Sequence, residues 1–220
     1  MATVKENLSE IESEIAPYTP NIIAVTKYFD ESKLIEAYNA GLRNFGESRI
    51  PESIKKIEGL PEDIRRNSKF HLIGHLQTNK ARKAVGFFDY IHSVDSFKLA
   101  EIISDIAIEK GLVQKVLLQV NNAGEEQKFG FSKDDIFDEF GKIIQLKGIK
   151  VVGLMNIAPF GLESEELTKL FLEICDIQSK LKKGFNCDDM VELSMGMSCD
   201  YKEASRAGAT MLRIGRKLFS

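Results

Sequence analysis

The sequence predicts a closed (β/α)8 TIM barrel, an α/β fold, on three observations. Eight short runs rich in β-branched and apolar residues alternate with segments of helical periodicity, which is the pattern of parallel βα units. Several of the runs are almost continuously apolar, as strands covered on both faces must be. The 220 residues shared among eight units give about 27 each, a compact version of the roughly 250-residue barrel. A doubly wound open sheet is the alternative, but no G-x-G-x-x-G follows its first strand.

The elements follow in order. A helix over Asn7–Ile15 precedes the strand Asn21–Val25. Ser32 is placed to cap a helix whose Leu34, Ile35 and Tyr38 share a face, with Gly41 as its stop. Strands are predicted at Leu42–Phe45, Phe70–Ile73 and Asp89–Val94. Ser96 caps a helix with Leu99, Ile102, Ile103 and Ile106 on one stripe, ending at Gly111. After the strand Lys115–Val120, Ser132 opens another helix, whose Asp134 and Asp135 suit the positive end of its dipole. The strand Ile149–Met155 leads to the longest helix, from about Ser164, with Leu167, Leu170, Phe171, Ile174, Ile177 and Leu181 stacked at steps of three and four. Strands at Met190–Ser194 and Met211–Ile214, with a helix through Ala204 and Ala207 between them, complete eight units.

Composition sets the function classes. A chain of this size buries roughly 70% of its unfolded surface without staples, so residues 1–220 are expected to form a single domain. Cys175, Cys187 and Cys199 fit neither a disulfide framework nor a zinc site, which points to the reducing cytoplasm. Met1–Ile15 has neither the basic nor the apolar region of a signal peptide, and no apolar run is long enough for a membrane span. With 30 basic and 33 acidic residues interspersed and a net charge of −3, a nucleic-acid partner is not expected. A single small phosphate is compatible with that balance.

In a barrel, chemistry sits at the C-terminal strand ends, and phosphate sites favour the last two loops. The first strand ends at Lys27, either an imine-forming amine or a solvated surface lysine. The seventh runs into Ser194-Met195-Gly196-Met197-Ser198-Cys199-Asp200 and then a helix, where Ser198 is either part of an anion site or a plain N-cap. The eighth gives Arg213-Ile214-Gly215-Arg216. Gly215 lets backbone approach a phosphate, and Arg213 shares its inward side, paired either with a ligand or in a structural salt bridge. His71 and His75 read as hydrogen-bonded rim histidines without a metal. Glu125, Glu126 and Lys128 read as a solvated charge run, with a mobile loop over the mouth as the alternative. Cys199, in a first helical turn, is read as a packed or inert thiol, and Met195 and Met197 as core filling or ligand packing.

These features occur within blocks that are recognisable: Ala24-Val25-Thr26-Lys27, Asn44-Phe45-Gly46-Glu47, His71 through Lys80, Gln119-Val120-Asn121 with Lys128-Phe129-Gly130-Phe131, Gly153-Leu154-Met155, Leu193 through Ser198 with Asp200, and Arg213-Ile214-Gly215. From about residue 21 to its end the chain resembles the YggS/PROSC family of pyridoxal 5′-phosphate (PLP) homeostasis proteins. The resemblance implies an alanine-racemase-like barrel, preceded by an extra N-terminal helix, with PLP as cofactor. It makes Lys27 the lysine of the internal aldimine, Ser198 the phosphate serine, Gly215 and Arg216 the backbone phosphate holders and Arg213 the partner of the pyridine nitrogen. Met197 and Ser48 join these as cofactor-binding candidates, and no catalytic residue is assigned. Ser48 stands where the family usually has Asn, Thr26 where it has Ser, and Arg216 where a small residue is common. An arginine at the pyridine nitrogen keeps that atom unprotonated and the ring a weak electron sink. Alanine racemases complete their acid–base pair with a tyrosine from an added β domain across a dimer, and eight βα units consume this chain. The expectation is therefore a monomeric PLP carrier without turnover, with PLP-dependent apoenzymes as potential recipients. A racemase-like enzyme is the alternative.

Overall fold

The computed structural model describes residues 2–125 and 127–220. Eight parallel strands close into a barrel in chain order: β1 (Asn21–Val25), β2 (Asn44–Glu47), β3 (Lys69–Leu72), β4 (Tyr90–Val94), β5 (Gln114–Gln119), β6 (Ile149–Met155), β7 (Glu192–Ser194) and β8 (Met211–Ile214). Closure is made by β1 against β8, where Ile23 lies beside Arg213. The helices are α1 (Val4–Ile15), α2 (Glu31–Asn39), α3 (Glu52–Glu58), α4 (Glu62–Arg66), α5 (Ala81–Ala84), α6 (Phe97–Glu109), α7 (Lys133–Ile143), α8 (Ser164–Phe185), α9 (Tyr201–Ala207) and α10 (Arg216–Phe219). A single 3-10 turn, Thr78–Lys80, leads into α5.

The main apolar core lies between the strands and the helices. Phe140, Phe171, Ile103, Leu99 and Leu34 from the helices and Phe45, Leu72, Ile91 and Leu118 from the strands are all at most 1% exposed. Each such side chain contributes roughly 1.5–3 kcal/mol of burial. A second, small cluster of Leu117, Val152 and Met155, with Tyr90 and Ile157 against it, is separate from this layer.

The predicted strands are all present, displaced by at most two residues at either end, β2 excepted in kind. Its run was expected from Leu42, yet Leu42 belongs to the turn after α2, where its N–H donates to the Ala37 carbonyl and its side chain is buried. The strand instead extends through Gly46 and Glu47. The cap of α2 is Asp30, not Ser32: the Asp30 carboxylate accepts from Ser32 N–H at 3.0 Å, and the acid is the better acceptor. Ser96 and Ser132 cap α6 and α7 as predicted. Thr3 begins α1 earlier than expected, through a capping box with Glu6. Cys199 precedes α9 rather than lying in its first turn, because Asp200 occupies the N-cap position.

Candidate functional site

The C-terminal strand ends surround a cavity of about 1090 Å³. Lys27, Ser48, Met197, Ser198, Arg213, Gly215 and Arg216 all line it, so the structure brings every predicted site residue together. Its remaining wall is largely apolar, with Val25, Ile73, Phe129, Ile157 and Pro159 among the contributors.

Lys27 leaves β1 on the first turn beyond the strand. It is exposed to solvent as well as lining the cavity, and its Nζ lies 5.1 Å from the Tyr28 ring centroid. The backbone that presents it is held from behind. Lys56 Nζ donates to the carbonyls of Thr26 (2.8 Å) and Phe29 (3.1 Å), and Thr26 Oγ1 donates to Glu47 Oε1. Thr26 fills this role with the same hydroxyl a serine would use. Ser48 is half-buried and packs on Gly74, where an added Cβ would lie 2.4 Å from the Ser48 carbonyl oxygen. The glycine is what lets these two loops meet.

On the opposite rim, Ser198 does not cap α9. Its Oγ accepts from Lys217 N–H at 3.2 Å, bracing the turn that opens α10 and leaving the hydroxyl proton available as a donor. Asp200 occupies the N-cap position of α9 without a side-chain capping bond; its carboxylate instead accepts from Met197 N–H and so fixes the loop between them. Burial pushes the Asp200 carboxyl above its usual value. A Cβ on Gly215 would meet only Val25, at 3.4 Å, so protein packing alone does not require glycine there. The space it leaves belongs to the cavity. Arg216 is exposed, and its Nη2 donates to Cys199 Sγ at 3.7 Å. Met197 is half-buried at the cavity wall, whereas Met195 is fully buried in the core.

Arg213 is 4% exposed and donates to Ser194 Oγ (2.8 Å) and to the Asn156 carbonyl (2.7 Å). Among the described residues no carboxylate lies within ion-pair distance of it, so the structural salt bridge considered from sequence is absent there. Burial lowers its pKa to about 10, partly offset by Asp200, and it stays charged at neutral pH. A buried guanidinium with only neutral partners is costly unless an anion or an acceptor ligand completes it. Beside it, Asn156 Oδ1 is buried without a hydrogen-bond partner.

The two histidines part company. His75 does sit at the rim, with Nδ1 3.1 Å from Asp95 and its ring stacked on Phe129 at 3.7 Å. His71 does not: it is 1% exposed inside the barrel and contacts His92 and Asn44. Sequence reading missed His92, Ser194 and Asn156. Their signal was a polar residue inside an otherwise apolar strand or at its end. Glu125 forms an ion pair with Lys128, which also donates to the Ala158 carbonyl at 3.3 Å, so this segment is tied across the mouth rather than merely solvated. Glu126 lies outside the described residues. Among the described residues, no group of three or more His, Cys, Asp and Glu is placed to hold a metal ion, and no helix is long and apolar enough to cross a membrane.

A family profile described as alanine racemase, N-terminal domain, matches residues 1–220, so the match includes α1 as well as the barrel. A pyridoxal phosphate homeostasis protein of Synechocystis sp. is 40% identical over 213 residues, 96% of this chain and 95% of that one. The chain belongs to the pyridoxal phosphate homeostasis protein family. Its counterpart in Aquifex aeolicus is 36% identical over 198 residues, covering 90% of this chain and 85% of that protein. Among solved structures, PipY of Synechococcus elongatus with PLP bound superposes with a TM-score of 0.88 at 39% identity, covering 99% of this chain and 100% of that one. Membership agrees with the closed barrel and with the alanine-racemase-like fold.

Proposed function

We propose that the chain is a PLP-binding protein of PLP homeostasis and that the mouth cavity is its PLP site. The observation that carries the reading is the arrangement around that cavity. A primary amine, Lys27, stands on one rim, an open glycine and a serine hydroxyl donor stand at Gly215 and Ser198, and below lies a buried arginine with no carboxylate within ion-pair distance among the described residues. The donor set fits PLP: an amine for its aldehyde, donors for its phosphate and a cation for its ring nitrogen. PipY, with the same fold and 39% identity, has PLP bound.

PLP, when bound, supplies an aldehyde that captures amines reversibly. Lys27 is the residue proposed to provide the covalent attachment, with Ser198, Gly215 and Arg216 holding the phosphate. Arg213 would stand as a hydrogen-bond donor toward the ring nitrogen that does not give up its proton, which would leave the ring a weak electron sink. Met197 and Ser48, which line the cavity, would border the ring. This arrangement favours storage and release over turnover, with PLP-dependent apoenzymes as recipients, in a monomer working in the cytoplasm. The racemase-like alternative draws on one observation, His75 at the wall of the same cavity with its Nδ1 3.1 Å from Asp95, which has the form of a base and its orienting carboxylate.

Visible absorbance and borohydride reduction test the reading. Purified protein should be yellow, and reduction followed by peptide mapping should place a pyridoxyl group on Lys27. Colourless protein that takes up no added PLP would sink it. Racemisation or transamination above that of free PLP, lost in Lys27→Ala, would replace the carrier with the enzyme.

A further inference from the structure

A hydrogen-bonded chain of five polar side chains runs through the barrel lumen, where aliphatic layers are the rule. His92 on β4 bonds Ser194 on β7, and these strands are not neighbours in the barrel, so the contact crosses the interior. The direction of the chain is set at both ends. Asn44 Oδ1 only accepts, so His71 Nε2 carries a proton toward it at 3.1 Å. Burial pushes His71 down to about 4, so it is neutral at neutral pH and its Nδ1 accepts, from His92 Nε2 at 2.9 Å. His92 Nδ1 accepts the Ser194 hydroxyl proton at 2.9 Å, and Ser194 Oγ accepts from Arg213 Nη1 at 2.8 Å. No carboxylate belongs to the chain. Both imidazoles are therefore neutral Nε2–H tautomers, and burial likewise holds His92 well below its ordinary value.

We propose that His71 and His92 are positioning residues for Arg213: the one-way chain Arg213 to Ser194 to His92 to His71 to Asn44 fixes the guanidinium at the cavity floor. The role rests on the PLP reading above. If Arg213 rotated, the Ser194 oxygen would lose its donor in a buried site, and the second anchor at the Asn156 carbonyl would break with it. The guanidinium N–H groups not used by Ser194 and Asn156 are what the cavity receives. Because the chain ends in a neutral amide, it holds no acid that could pass a proton through Arg213 to a ring nitrogen.

Long-range 1H–15N spectra of the ligand-free full chain should show both imidazoles as neutral Nε2–H tautomers at neutral pH. Either histidine as the Nδ1–H tautomer, or protonated, overturns the chain. PLP titrations then compare His92→Phe, which cuts the chain, with His92→Gln, whose amide both accepts from Ser194 and donates to His71. His92→Phe should weaken PLP binding about tenfold and shift the visible absorbance maximum of the bound PLP. His92→Gln should restore both. A folded His92→Phe protein with wild-type affinity and spectrum overturns the positioning role, and so does a folded His92→Gln protein that fails to restore them. If the wild type itself binds no PLP, the ligand reading fails, and the chain is judged on the tautomers alone.

Discussion

The ammonium of Lys56 meets the carboxylate of Glu47 at 2.5 Å, and both side chains are nearly buried, at 12% and 3% exposed. Lys56 also holds the carbonyls of Thr26 and Phe29, which bracket Lys27 and Tyr28. One ion pair thus ties α3 to the β1 exit that presents the proposed attachment amine.

The first prediction concerns that pair. Lys56→Met leaves the Glu47 carboxylate buried with only the Thr26 hydroxyl, and should destabilise the protein by about 3–5 kcal/mol in urea unfolding. Adding Glu47→Gln should recover much of the loss, since the double variant no longer buries a lone charge. PLP uptake should fall further than the stability change explains, because the Lys27 backbone loses two anchors. A Lys56→Met protein within about 1 kcal/mol of wild type would show that the pair is effectively solvated.

A second prediction follows from the buried histidines. The folded state holds His71 at about 4 against 6.5 for an ordinary imidazole. Between these values the unfolded chain binds the extra proton, so stability rises with pH. The stabilisation is present above about 6.5 and is lost as pH falls toward 4, at a cost of about 3 kcal/mol for His71 alone. His92 adds in the same direction. Carboxylates held below their usual range, such as Glu14 beside Lys202, lose their contribution only at lower pH. Urea midpoints measured from pH 7 to pH 5 should therefore decline in the wild type and decline less steeply in His71→Gln, where only His92 remains. Parallel profiles would disprove the assignment.

The third prediction tests the Gly153-Leu154-Met155 block. A Cβ on Gly153 would come within 1.8 Å of the Glu192 carbonyl oxygen on the paired strand β7. Backbone cannot yield as a flexible side chain does, and β7 is only three residues long with one register pair to β8. Gly153→Ala should cost about 3 kcal/mol or more. A thermal shift of only a degree or two would mean that β7 has moved aside.

The barrel was readable in the sequence because apolar runs of strand length recur between amphipathic helices, and eight such runs admit few closed arrangements. Lys27, Ser198, Arg213 and Gly215 were readable because barrel chemistry gathers at strand ends. The lumen chain was not. His71 and His92 carry the inward parity of their strands, but sequence alone does not show that β4 faces β7 across the interior. The α2 cap was misplaced for a local reason: Asp30 and Ser32 are both good caps, and the carboxylate prevailed. The short helices α3, α4 and α5 have too few turns to show a clear periodic stripe.

The last prediction links the two chain ends. Asn7 on α1 is buried, and its Nδ2 donates to the carbonyls of Leu218 (3.1 Å) and Ser220 (3.0 Å), satisfying the C-terminal end of α10. Lys217 on α10 also pairs with Glu10 at 2.5 Å, but Glu10 is half-exposed and that contact contributes little. The opposite end of α10 is the Gly215–Arg216 turn braced by Ser198, so α1 fixes the position of the proposed phosphate holders without touching the cavity. Asn7→Ala removes one buried and one part-buried hydrogen bond and should cost about 1–3 kcal/mol. It should also weaken binding of inorganic phosphate and PLP severalfold, while Glu10→Ala leaves both nearly unchanged. Asn7→Ala protein that loses stability but retains full phosphate affinity would show that α10 keeps its place through the Ser198 contact alone.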